Sequence, residues 1–238
     1  LRPRLALLQN ATDATQKATV RREIQHIVST EYLRIMENSG HREGYLFSVR
    51  LFSGLRPEEI VSRSLMVFEQ EMRRPFRTDT THAPDGLERP PFARNRGLRV
   101  HKEIRDLITN AQEGGMRVLI ISASCHWVVA PIARLAFSVE ESNVWGIHAE
   151  VDDHGIIAPR CTHPIPYGAG KVDAIIKLTG HKPAFVAGDA RTDLEMLQSA
   201  TVGALVLDRG STLLKEEAQS HGWLIYPQEQ FSCLDALP

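Results

Sequence analysis

The chain contains no apolar run of the roughly 18 residues that a membrane-spanning helix requires. Its opening residues, LRPRLALLQN, lack the pattern of a secretory leader. Three cysteines, Cys125, Cys161 and Cys233, stand far apart with no CxxC spacing, which argues against a disulfide framework or a zinc site and for thiols in a reducing compartment. Neither sign of charge is in excess: 28 Lys and Arg against 29 Asp and Glu give a formal net charge of -1, so nothing global calls for nucleic acid or an anionic membrane as partner. Internal repeats and low-complexity tracts are missing too. The expectation is a soluble, cytoplasmic protein with no nucleic-acid or membrane partner and an unspecified oligomeric state, in which any anion site is local.

The chain is otherwise ordinary globular material, 42% hydrophobic and 24% charged, and its 238 residues can fill one large core or a core with an inserted smaller domain. "RLALL", Arg4 to Leu8, reads as a short buried strand running into a polar turn, "QNATDATQ". From about Val20 to Arg74 apolar residues recur at helical spacing, as in "REIQHIVSTEYLRIMENSG" and "LRPEEIVSRSLMVFEQEM". "RRPFRTDTTHAPDGLERPPFARNRG" then reads as an extended excursion. From Leu98 helices and strands alternate: helix "HKEIRDLITNAQEGG", strand "MRVLIIS", helix "HWVVAPIARLAF", hairpin "VWGIHAEVDDHGIIA", helix "GKVDAIIKLTG", strand "PAFVAGD", helix "TDLEMLQSA", strand "VGALVL", helix "TLLKEEAQSHG" and strand "WLIY". Alternation of this kind favours a parallel sheet with helices on both faces, a Rossmann-like α/β core. The expected division is a core of residues 1–19 and 97–238, with residues 20–96 inserted after the first strand as a helical cap.

In such a sheet ligand groups gather at the carboxyl ends of the strands. "AFVAGDARTD" puts Asp189 at a strand tip and Asp193 four residues on, a spacing of carboxylates that suits Mg²⁺, which takes one or two carboxylates plus water and substrate oxygens. Asp193 as a helix cap and Asp189 as a turn residue is the plainer explanation of that segment alone. "VLIISAS" places Ser122 directly after an apolar run, where its hydroxyl and the amides that follow, beginning with Ala123, suit phosphate oxygens. "GAGK" opens a helix with Lys171, a mobile point charge suited to a phosphoryl group, although it is not a Walker loop. Cys125, His126 and Trp127 read as packing rather than a Cys/His catalytic pair, because adjacent side chains rarely converge on one atom. Asp152 and Asp153 read as a solvated hairpin turn.

Taken in order, "VLIIS", "GAGK" and "AGDARTD" resemble the second, third and fourth motifs of the haloacid dehalogenase superfamily, in particular its phosphoserine phosphatase-like and phosphorylcholine phosphatase-like branch. The hairpin "VWGIHAEVDDHGIIA" and the cap segment "LFSGL" resemble that branch as well. The resemblance implies a Mg²⁺-dependent phosphomonoester hydrolase of a small metabolite: an aspartate after the first strand attacks phosphorus to form a phosphoaspartate, and a second, two residues on, acts as acid and base. It carries substrate binding and catalysis to Ser122 and Lys171, and metal binding to Asp189 and Asp193.

The first motif, Asp-x-Asp-x-Thr, is missing. "ATDAT" fits best, with Asp13 as acid/base and metal-binding residue, Thr15 as the substrate-binding threonine, and Ala11 at the nucleophile position. A register two residues earlier puts Gln9 and Ala11 at the two aspartates and keeps neither. An alanine cannot attack phosphorus, so this reading expects an inactive or much weakened phosphatase, by a substitution made to trap substrate, as a natural pseudoenzyme, or after divergence. A binding protein that keeps the phosphate pocket as sensor or scaffold is the competing class. Dehalogenase chemistry fits less well because it needs no metal. Arg42, Arg50, Phe52 and Arg56 are the cap residues that a closing cap could bring to substrate, although a surface charge or a cap-core contact is the plainer explanation of each.

Overall fold

In the computed structural model, which describes residues 2–84 and 88–234, the amino-terminal apolar run is a helix, α1 (Arg2–Asn10). The strand expected at Arg4–Leu8 is therefore corrected. The reason is local: Leu, Ala, Arg and Gln are good helix formers, and the segment RPRLALLQN has no β-branched residue. After a break at Ala11 and Thr12, Asp13 caps α2 (Ala14–Ser39), and Arg4 Nε meets Glu23 Oε2 at 3.2 Å to tie the two helices together. The helical block then continues as expected with α3 (His41–Arg50) and α4 (Pro57–Arg73). Gly40, at φ +88°, breaks α2 from α3 in a backbone conformation that side chains disfavour.

The Arg- and Pro-rich excursion is ordered into an antiparallel hairpin, β1 (Arg77–Thr81) with β2 (Phe92–Arg96), whose register pairs Arg77 with Arg96 and Asp79 with Arg94. Part of the excursion, residues 85–87, lies outside the described residues. A two-residue strand β3 (Val100–His101) precedes α5 (Lys102–Glu113). The alternating region continues as β4 (Ile120–Cys125), α6 (His126–Phe137), β5 (Val144–Ile147), β6 (Ala149–Val151), β7 (Ile157–Cys161), α7 (Ala169–Thr179), β8 (Phe185–Gly188), α8 (Leu194–Gln198), β9 (Gly203–Asp208), α9 (Thr212–His221), β10 (Leu224–Pro227) and β11 (Cys233–Leu234).

Among the described residues the parallel strands pair in two separate ladders. β10, β9 and β8 lie side by side in that order, and β4 pairs with β5. Between Gly188 and Leu194 a single 3₁₀ turn (Arg191–Asp193) leads into α8. Val186, Ala204 and Val206 of the first ladder pack under Ile175 of α7, Met196 and Leu197 of α8, and Leu214 and Ala218 of α9, with Ile121 of β4 against the same cluster. A second cluster joins Ala130 and Ala133 of α6 to Val144, with Ile108 of α5 and Ile120 packed on it. Pro131 lies inside α6, where it removes the intrahelical bond that an amide there would make to the Trp127 carbonyl, a cost that the packing of the helix offsets.

By packing, the chain divides into two units: Leu1–Phe47 with Arg73–Leu98, and Ser48–Met72 with Arg99–Pro238. The first holds α1, α2 and the β1–β2 hairpin. The second holds the parallel ladders together with α4. Thus the opening residues, expected to share the sheet, group with α2, and residues 48–72 of the expected cap group with the sheet.

Candidate functional site

β8 and β9 run parallel with Gly188 opposite Val206, so the residues just past their carboxyl ends emerge side by side. Asp189 comes after the first and Arg209 after the second, and Arg209 Nη1 donates to Asp189 Oδ2 at 2.7 Å. Asp193 sits one turn further and is buried, 4% exposed. Its Oδ2 accepts the amides of Asp189 (3.0 Å) and Ala190 (2.9 Å), and its Oδ1 forms a buried ion pair with Lys171 Nζ. Asp193 is thus both the organiser of its own loop and the counter-ion of the lysine.

Two glycines make this packing possible. A Cβ on Gly188 would lie 2.7 Å from the Asp193 Cβ, so a side chain there would push Asp193 out of the loop. A Cβ on Gly170 would lie 2.0 Å from the carbonyl oxygen of Ile165, and α7 starts correctly only because that position is bare. Gly168, the N-cap of α7, has φ +56°. "GAGK" therefore has a steric meaning: it lets the first turn of α7 approach the preceding chain closely enough to bury Lys171, 6% exposed.

Ser122 lies inside β4, not directly after it as its place behind an apolar run suggests, because the strand continues to Cys125. Its Oγ accepts the Ser124 amide at 3.1 Å, and both Ser122 and Ala123 are half-buried. The sequence-predicted residues Ser122, Ala123, Lys171, Asp189 and Asp193 all belong to the second unit. Ala11, Asp13 and Thr15 belong to the first. There Ala11 is 5% exposed, and the Asp13 carboxylate accepts the amides of Thr15 (2.8 Å) and Gln16 (3.1 Å) as the N-cap of α2.

Arg209 is the residue that sequence reading missed. A signal for it exists: it stands just past the apolar run "VGALVL" and Asp208, at the same kind of strand end that draws attention to Asp189.

The CHW segment is structural, as expected. His126 Nε2 lies 3.2 Å from Glu141 Oε1, and its Nδ1 accepts the Gly146 amide at 3.4 Å. The His126 ring stacks on His148 at 3.9 Å. Burial lowers the affinity of both imidazoles for a proton, and for His148, with His126 adding to burial, the pKa falls to about 4. Burial pushes the Cys125 thiol up to about 11, so it is no nucleophile. Asp152 closes the β6–β7 turn by accepting the amides of His154 and Ile156, each at 2.9 Å. Of the four cap residues, Arg42 pairs with Glu43 at 3.2 Å, and Arg56 lies against Gly155. Arg50 and half-buried Phe52 lie at the end of α3 and just past it.

The donor set at the strand tip is made of hard oxygens, two carboxylates four residues apart. Among the described residues no group of three or more His, Cys, Asp or Glu side chains converges to hold an ion alone. That combination fits a cation that completes its shell with water and substrate oxygens, as Mg²⁺ does, and does not fit a closed structural site.

Comparison with known proteins agrees with this architecture. Residues 28–198 match the model of the haloacid dehalogenase-like hydrolase family. The chain belongs to that family. It is 32% identical over 130 residues to a probable phosphatase of Mycobacterium tuberculosis (strain ATCC 25618 / H37Rv), a match covering 52% of this chain and 42% of that protein. An uncharacterized protein of the CDC 1551 / Oshkosh strain matches with the same figures. The chain thus spans less than half the length of these curated relatives. Its fold is also that of a conserved functionally unknown protein from Anaerococcus prevotii DSM 20548, with TM-score 0.67 and 22% identity over 81% of this chain and 60% of that one. Among the described residues no helix is long and apolar enough to cross a membrane.

Proposed function

We propose that this chain is a Mg²⁺-dependent phosphomonoester hydrolase of the phosphoserine phosphatase-like type, acting on a small metabolite and weakened because Ala11 stands at the nucleophile position. One observation carries the reading: the buried Lys171–Asp193 pair, whose carboxylate also gathers the amides of Asp189 and Ala190. Two sequence-distant segments, the start of α7 and the loop after β8, are thereby fixed at one strand tip, a pre-organised charged and hydrogen-bonding environment of the kind phosphoryl transfer requires. Family membership and the similarity to a probable phosphatase support it.

In this mechanism the exposed carboxylate of Asp189 would hold Mg²⁺, which when bound neutralises phosphoryl charge, and Asp193, engaged by Lys171 and two amides, would fix the loop that presents it. Lys171 supplies positive charge to the phosphoryl oxygens, and the Ser122 hydroxyl with the neighbouring Ala123 amide orients them. Asp193 holds Lys171 in place. Asp13 is assigned the acid/base role and Thr15 a substrate contact by motif order alone, and Ala11 has its position on the same ground.

A second reading, a binding-only pseudophosphatase, is favoured by one feature: the Asp13 carboxylate already accepts two backbone amides at a helix start. The variant A11D separates the two. With Mg²⁺ and a panel of small phosphomonoesters, turnover well above that of the unsubstituted chain supports the hydrolase reading. No turnover from a folded A11D that binds phosphate supports the binding protein.

A further inference from the structure

We propose that Arg209 is an exchangeable counter-ion of Asp189, so that a divalent cation binds this carboxylate in competition with the guanidinium. The inference rests on the metal-binding role given to Asp189 above. Its basis is the unequal treatment of the two carboxylates at the strand tip. Asp193 is locked: it is buried, and its partner Lys171 is buried with it. Asp189 is held by a side chain that is 59% exposed, and is itself 40% exposed, with one 2.7 Å contact. A solvent-exposed ion pair is worth little and is readily exchanged, whereas opening a buried one leaves an uncompensated charge.

The loop that carries Arg209 is built for this position. Gly210, at φ +89°, donates its amide to Asp208 Oδ1 at 2.8 Å, and Lys215 Nζ meets Asp208 Oδ2 at 2.8 Å. The nearer carboxylate of the loop is therefore already neutralised by Lys215, and Arg209 is directed across to Asp189 on the neighbouring strand. Its positive charge disfavours a second cation at the same oxygen, both by occupying it and by repulsion. Arg209 then sets the affinity of the metal site without being one of its ligands.

Mn²⁺ binding followed by electron paramagnetic resonance tests this on the full chain, comparing the unsubstituted protein with R209Q and D189N, each checked for folding by circular dichroism. The expected result is a roughly three- to fivefold tighter Mn²⁺ affinity in R209Q, the order an exposed ion pair supplies, and a loss of roughly tenfold or more in D189N. Affinity unchanged or weaker in R209Q, with D189N still impaired, overturns the role of Arg209 and leaves the metal site standing. Failure of D189N to weaken Mn²⁺ binding overturns the metal reading of Asp189, and the inference with it.

Discussion

Lys171 and Asp193 form a buried ion pair between the first turn of α7 and the turn after β8, and the same carboxylate accepts two amides of its own loop. Each partner is the other's buried counter-ion. Removing one alone, in K171M or D193N, is expected to destabilise the second unit by about 3–5 kcal/mol, because the remaining group is left buried and uncompensated. The double variant should cost less than the sum of the singles. Urea unfolding of the four proteins in a double-mutant cycle measures the coupling.

Gly188 is expected to tolerate no side chain. In G188A the new Cβ would meet the Asp193 Cβ at 2.7 Å and its Cγ at 3.0 Å, and these atoms sit too near the backbone to swing away. The expected loss is about 1–3 kcal/mol, accompanied by weaker Mn²⁺ binding. A control, G203A, faces only Phe185 ring atoms at 3.7 Å and beyond, and should leave Mn²⁺ binding as it was.

The stacked pair of His126 and His148 gives the protein an acid sensitivity whose direction is set by burial. The folded pKa of His148 is about 4 against an ordinary 6.5, so folding favours the neutral ring. The resulting stability is fully present above about pH 6.5 and is lost as the pH falls toward 4. The unfolded chain takes up protons in that window while the fold resists them. The loss should be on the order of 2 kcal/mol, reduced from the full linkage value because the ring is only partly shielded from solvent. H148F, which keeps a ring against His126, should flatten the fall of melting temperature between pH 6.5 and 4.

Asp13 distinguishes capping from catalysis. D13A should cost about 1 kcal/mol through loss of the α2 cap, while D13N, an equally good cap, should cost little. If Asp13 also moves a proton, D13N introduced beside A11D lowers turnover strongly with no change in melting temperature. Paired kinetics and thermal unfolding separate the two effects.

The alternating region is legible in the sequence because β5, β8, β9 and β10 are short, mostly apolar runs, and the end of β8 shows both carboxylates at once. The opening segment misleads for a physical reason. Leu5 to Leu8 are apolar enough for a buried strand, but without β-branching the same residues prefer a helix, and periodicity over so short a run does not decide. Ser122 looks like the first residue past a strand because β4 continues through small polar residues that resemble a turn. Pairing is what a sequence hides most completely: nothing in "GAGK" says that its lysine is neutralised by Asp193, and nothing in "LDRG" says that its arginine reaches Asp189 on the next strand.

The central claim is that Asp189, Asp193, Lys171 and Ser122 form a phosphoryl site completed by Mg²⁺. Thermal unfolding with inorganic phosphate, with and without Mg²⁺, tests it most directly on the unsubstituted chain and on D189N. The expected result is that phosphate raises the melting temperature of the unsubstituted chain when Mg²⁺ is present, by the mass-action stabilisation any native-state ligand confers, and that D189N loses this response. A phosphate response that is independent of Mg²⁺ and intact in D189N, or no response at millimolar phosphate, would contradict it.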